Sequence, residues 1–251
     1  MRPRTPYFRL SVISCALVAI PSAPAQNRAS ETPIAIVQRM VRMNQERTKA
    51  LHGYRSFRRY FAEDSSFGLR AEVSVQEIYS FPGKKEFKIV SEAGSPFIRH
   101  RVIEKLMEAE IDDSKIEHRE ESELSPENYV FRQVGNETIA GRPAYVFEVS
   151  PKSSKKYLMR GRVWIDAQDF AVARMEGSTA NNPSFWMRKT HFVRNYEKLG
   201  AFWLPASVES DSQILLAGKS QLRIDYSGYE IDSAASAAVA VETAASQQGG
   251  N

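Results

Sequence analysis

The chain is nearly devoid of cysteine: one thiol, Cys15, stands among 251 residues, and it lies in the first 25. Loss of that segment leaves no cysteine, which excludes a disulfide scaffold, a thiolate zinc site and a thiol nucleophile together. Histidine is scarce as well. His52, His100, His118 and His191 stand in four separate segments, and no H-E-x-x-H is present. His100 and Glu104 sit at i and i+4, a spacing that solvated helix faces use far more often than metal sites do. There is no G-x-S-x-G elbow, and Gly218-Lys219-Ser220 lacks the upstream glycine of a phosphate loop. The carboxylates Glu117, Glu120, Glu121 and Glu123 read as a solvated acidic link. The sequence therefore offers no reaction: no catalytic residue, metal or cofactor is expected.

A strong charge bias is also missing. Three of the 34 basic residues, Arg2, Arg4 and Arg9, fall in the first 25 positions beside no acid, so the remaining 31 nearly balance the 30 carboxylates. That balance argues against nucleic acid as a partner. Lys152, Lys155, Lys156, Arg160 and Arg162, with Arg55, Arg58 and Arg59, read as a charged rim that keeps strand edges apart, or as a surface for anionic head groups or a negatively charged partner.

No apolar run reaches bilayer length. The longest, Leu10 to Ile20, follows the arginines and precedes Ser22-Ala23-Pro24-Ala25, the parts of a secretory leader cleaved near Ala25. Val12-Ile13-Ser14-Cys15 is a weaker match to a lipidation box at Cys15.

Patterned chain follows. Thr32-Pro33 gives an N-cap and N1 proline, and Ile34, Val37, Val41, Thr48 and Leu51 predict the apolar stripe of a helix to about residue 50. From Tyr54 the period is two. Val73, Val75, Tyr79 and Phe81 alternate with polar residues, Pro82-Gly83-Lys84-Lys85 turns the chain, and Phe87 and Ile89 return. Ser95-Pro96 opens a second helix to about Asp112, with Ile98, Val102, Leu106 and Ala109 on one stripe and Ile103 and Met107 beside it. Seven closely spaced strands come next, between Tyr129 and Tyr229, and must pair antiparallel. Residues 232–251, rich in Ala, Ser, Gln and Gly, predict a disordered tail.

The 26 aromatic residues and the apolar strand faces give one bent sheet more inner surface than two helices easily fill. The surplus is either a packed core or a cavity, since both use the same residue types. Phe185-Trp186-Met187, at the edge of a turn, caps a cavity mouth, meets a partner or closes the core.

Several stretches resemble the periplasmic lipoprotein-carrier family, the LolA/LolB-like proteins. These are Tyr79-Ser80-Phe81-Pro82-Gly83-Lys84-Lys85-Glu86-Phe87, Phe147-Glu148-Val149-Ser150-Pro151-Lys152, Arg162 to Asp166 with Val172 to Glu176, Phe202-Trp203-Leu204-Pro205, and Leu222 to Tyr226. The resemblance implies an α+β fold in which an unclosed antiparallel barrel shelters acyl chains on a concave face covered by helices. It departs at Phe81, where the carrier has an arginine that holds its cover. Together these readings predict a leader over 1–25, a LolA-like domain over 26–231 and a periplasmic, non-catalytic lipid or lipoprotein carrier in outer-membrane lipoprotein sorting. Its partners would be the acyl chain and a membrane-bound donor or acceptor protein, with Val73, Val75, Tyr79, Phe81, Phe87, Phe147, Val163, Ile165 and Trp186 as candidate lipid contacts. The alternative is a non-catalytic interaction or envelope-sensor module with a filled barrel.

Overall fold

The computed structural model describes residues 31–113, 121–155, 158–180, 187–214 and 218–233. The leader, residues 234–251 of the expected tail and Trp186 lie outside the described residues. Helix α1 (Pro33–Ala50) is capped as the sequence predicts, with the Ala35 amide donating to Thr32 Oγ1 at 3.4 Å. It passes directly into β1 (Leu51–Asp64), followed by β2 (Leu69–Ser80) and β3 (Lys84–Gly94). A continuous helical segment comes next: α2 (Pro96–Ile98), one π-helical turn (Arg99–Ile103) and α3 (Glu104–Asp113).

Strands β4 (Tyr129–Ile139), β5 (Arg142–Pro151), β6 (Met159–Asp166), β7 (Val172–Thr179), β8 (Met187–Leu199), β9 (Phe202–Ile214) and β10 (Gly218–Ser233) follow among the described residues. All ten form one antiparallel sheet in the order β3-β2-β1-β10-β9-β8-β7-β6-β5-β4. Strand β10 pairs with β1 at the middle, while β3 and β4 are the two edges and do not meet. The sheet is thus an unclosed half-barrel, as the sequence predicts. The last strand reaches Ser233, past the start expected for the tail.

Two helices cover the inner face, and each has its own cluster. From α1, Ile36, Val37 and Met40 pack on Tyr129, Phe147, Val149, Val163 and Ile165 of β4, β5 and β6. From the second helical segment, Ile98, Ile103 and Met107 pack on Tyr60, Ala62, Ala71, Val73, Val75, Val208 and Ile224. A third, smaller cluster at one end of the strands holds Tyr54, Tyr79, Phe202 and Leu204.

Both helices present a face rotated from the stripe their sequences predict. In α1 the deeply buried side chains are Ile36, Val37 and Met40, and Ile34 is exposed beside Gln38, Val41, Arg42, Pro126 and Glu127 around a shallow groove of about 250 Å³. In the second segment the π turn inserts one residue into the helical repeat. Ile98 and Ile103, five apart, therefore fall on the same face, and Met107 follows one ordinary turn later.

Candidate binding face of the half-barrel

Strand parity decides which side chains meet under the helices. On β1 the even positions Tyr54, Ser56, Arg58, Tyr60 and Ala62 are buried inward, and on β2 the odd positions Ala71, Val73, Val75, Glu77 and Tyr79. Two of these are charged. Arg58 and Glu77 are 2% and 0% exposed, so their interaction must offset the cost of leaving water.

The geometry shows how it does. Arg58 Nε donates to Glu77 Oε2 at 2.7 Å, and its Nη2 closes a second bond to Oε1 of the same carboxylate. Ser56 Oγ and Tyr54 Oη also donate to Glu77, at 3.1 and 3.2 Å. The remaining Arg58 nitrogen, Nη1, reaches Glu110 of α3 at 2.5 Å and Tyr60 Oη at 3.2 Å. Lys85 Nζ completes the group, 3.7 Å from Glu77 and 3.6 Å from Glu110. The guanidinium lies between two rings, 5.0 Å from the centroid of Phe87 and 4.7 Å from that of Tyr226.

Ionisation follows this packing. Burial alone would push the Glu110 carboxyl up, but Arg58 and Lys85 overcome it and hold it below its ordinary value. Burial lowers Lys85 despite the two carboxylates beside it. The Tyr226 hydroxyl is pushed up to about 12, chiefly by burial. The group holds charge within the sheet and ties a helix to it. Among the described residues no three histidine, cysteine or carboxylate side chains gather as a metal site, and His100 simply pairs with Glu104 at 2.7 Å on an exposed surface.

The nine lipid contacts expected from the sequence are distributed as follows. Val73 and Val75 lie under α2–α3, and Phe147, Val163 and Ile165 lie under α1, all fully buried. Tyr79 belongs to the end cluster, its ring stacked on Tyr54 at 5.1 Å. Phe87 is half-buried beneath Arg58. Phe81 is exposed at the hairpin turn, outside every cluster, and Trp186 lies outside the described residues. Phe87 also packs against the cluster under α2–α3, so the structure places six on the helix-covered face but in two blocks.

The sequence reading missed Arg58, Glu77, Lys85 and Glu110. It assigned Arg58 to a charged rim with Arg55 and Arg59, and the structure corrects this: Arg55 and Arg59 point out toward Glu230 and Glu72, whereas Arg58 points in. The signal was parity, since Arg58 shares the phase of Tyr54 and Tyr60, and Glu77 that of Val75 and Tyr79.

An open ten-stranded antiparallel sheet with helices on one face decides the architecture. The fold is a LolA-like half-barrel. Residues 98–176, from the end of α2 to β7, match the family model of the MucB/RseB N-terminal domain. Among solved structures, a DUF1329 family protein from Desulfovibrio piger is 15% identical, with TM-score 0.40 over 80% of this chain and 94% of that one. A putative outer membrane lipoprotein-sorting protein domain from Vibrio parahaemolyticus is 10% identical, with TM-score 0.38 over 79% and 94%. A LolA superfamily protein from Nitrosomonas europaea is 10% identical, with TM-score 0.37 over 78% and 93%. Among curated proteins, none matches the chain. Among the described residues no helix is long and apolar enough to cross a membrane.

Proposed function

We propose that this chain is an exported, periplasmic, non-catalytic carrier that shelters the acyl chain of a lipid or lipoprotein between the inner face of the half-barrel and its helices. One observation carries the reading. Edges β3 and β4 stay apart, and the segment that joins them lays Ile98, Ile103 and Met107 over the apolar residues of β1, β2, β9 and β10. That cover is a short helical segment rather than another strand, so it can move without breaking a sheet ladder. Each methylene transferred from water to such a face is worth about 0.8 kcal/mol, which is ample for one long chain.

Native mass spectrometry of the chain purified from a bacterial periplasm, with lipid analysis of its organic extract, tests this. A stoichiometric lipid adduct is expected. A clean unliganded mass, under conditions that preserve lipid complexes of other carriers, would overturn it.

A second reading, a protein-interaction or sensor module, draws on the edges. Ile89 and Val90 on β3 and Val130 and Val134 on β4 are exposed apolar side chains on strands with one free edge, where an extended peptide can add. Loss of a partner complex on Val130→Lys, with bound lipid unchanged, would favour it.

A further inference from the structure

The register of the sheet defines one line of inward side chains crossing every strand. From edge to edge it runs Glu92, Val73, Tyr60, Ile224, Val208, Arg194, Met175, Val163, Phe147 and Gln133, each opposite the next. Between the two edge strands, eight residues line up and only Arg194 is charged. On one side of it Met175, Val163 and Phe147 belong to the cluster under α1; on the other Val208, Ile224, Tyr60 and Val73 belong to the cluster under α2–α3. Arg194 stands at the seam where neither helix's cluster reaches.

Two further facts bear on its role. Arg194 is exposed, although its strand parity directs it to the helix-covered side. The inner face therefore leaves accessible space at this point, although the surrounding groups are dense enough that burial works against the charge of the guanidinium. Among the described residues no carboxylate lies within ion-pair distance of it. Its ionisable surroundings are Tyr196, Tyr226 and, beyond that distance, Glu110, which Arg58 and Lys85 already engage. Around the seam Arg58 and Lys85 engage Glu77 and Glu110, and Arg194 is the cation of this group that has no carboxylate within ion-pair distance among the described residues.

We infer that the ligand of this face is an anionic amphiphile whose phosphate or carboxylate head is bound by Arg194 while its chain lies along the apolar row beside it. The guanidinium offers paired donors suited to either head group. This rests on the carrier reading and narrows its substrate class. A neutral lipid would leave Arg194 desolvated without an anion, so the site selects against it.

Isothermal titration of the purified chain with dodecyl phosphate, dodecanoate, dodecanol and inorganic phosphate tests the inference, with Arg194→Met and Arg194→Lys as variants. The unmodified chain is expected to bind the phosphate and carboxylate amphiphiles about tenfold more tightly than the alcohol. Arg194→Met brings all three to the level of the alcohol, and Arg194→Lys keeps a preference for the anions. Equal affinity for dodecanol and dodecanoate in the unmodified chain would overturn the inference whatever the variants do, while leaving the carrier reading intact. Inorganic phosphate that displaces dodecyl phosphate at equal concentration would assign the site to a free anion and overturn the amphiphile. If none of the three amphiphiles binds, the carrier reading itself fails.

Discussion

Arg58 of β1 and Glu110 of α3 are joined at 2.5 Å, so the helix over the inner face is tied by a charge to a residue buried in the sheet. The same guanidinium is gripped from below by Glu77, which fixes it before the helix arrives. The two carboxylates therefore have different tasks: Glu77 neutralises Arg58 inside the sheet, and Glu110 fastens the cover to it.

The variants should separate those tasks. Arg58→Met removes the bidentate partner of buried Glu77, leaving it only Lys85 as a cation, at 3.7 Å, and is expected to destabilise the fold by ~3–5 kcal/mol in urea unfolding. Glu110→Gln leaves the buried pair whole and is expected to cost ~1.5–3 kcal/mol. Equal losses, or the reverse order, would refute the division of labour.

Local opening should follow the same line. Amide hydrogen exchange over 104–113 is expected to speed up in Glu110→Gln, while α1, which has its own cluster, keeps its protection. Faster exchange in both helices alike would mean that they open as one unit.

Acid should weaken the far end of the sheet through Asp166. Burial alone would push this carboxyl up, but Arg142, at 2.6 and 2.9 Å, and the amides of Asp169 and Gln168, at 2.7 and 3.0 Å, bring it below its ordinary value of 3.8. A depressed carboxyl stabilises the fold above its unfolded value, and that contribution disappears as pH falls through the lower folded value. Unfolding free energy is thus expected to drop below pH 3.8. Asp166→Asn should flatten that part of the curve, and an unchanged slope in the variant would exclude Asp166 as a source.

A different constraint operates where β6 and β7 face each other at Gly161 and Gly177. A Cβ on Gly161 would stand 2.1 Å from the Glu176 carbonyl oxygen, and one on Gly177 2.2 Å from that of Arg160. These are backbone atoms and cannot swing aside. Either Gly→Ala substitution is expected to cost ~1–3 kcal/mol, read as a lowered Tm; a neutral result would show that the strands can separate there.

The rotated face of α1 makes a further paired prediction. Met40→Ala should cost ~2–5 kcal/mol, and Ile34→Ala, at an exposed position, no more than ~0.5 kcal/mol, both by denaturant unfolding. Comparable losses would restore the stripe read from the sequence.

That contrast marks what a sequence reader can reach. The caps Thr32-Pro33 and Ser95-Pro96, the hairpin at Pro82-Gly83 and the strand periods are local signals, and they place the helices and the antiparallel sheet correctly. What lay out of reach depends on partners far along the chain. The π turn at Arg99–Ile103 shifts the helix phase by one residue, and no residue type announces it. The pairing of Tyr60 with Ile224 decides which side chains share the central row. Arg194 carries meaning only once that row exists, because in the sequence it is one more basic residue on a strand. Arg58 is different: its phase among Tyr54, Tyr60 and Ala62 was legible, and charge alone concealed it.

The pairing of β1 with β10 also governs the order in which the molecule can form. A chain that emerges from its N-terminus presents β1 early and β10 late, and Leu222 must find Ala62 across well over half of the polypeptide. Until then β1 has β2 on one side and an open ladder on the other, and β9 is equally bare. Contacts of this range fold slowly, and unpaired strands invite pairing between molecules. Assembly therefore waits for the final strand, and a chain cut short before residue 218 would be left as two sticky half-sheets for chaperones or proteases to handle.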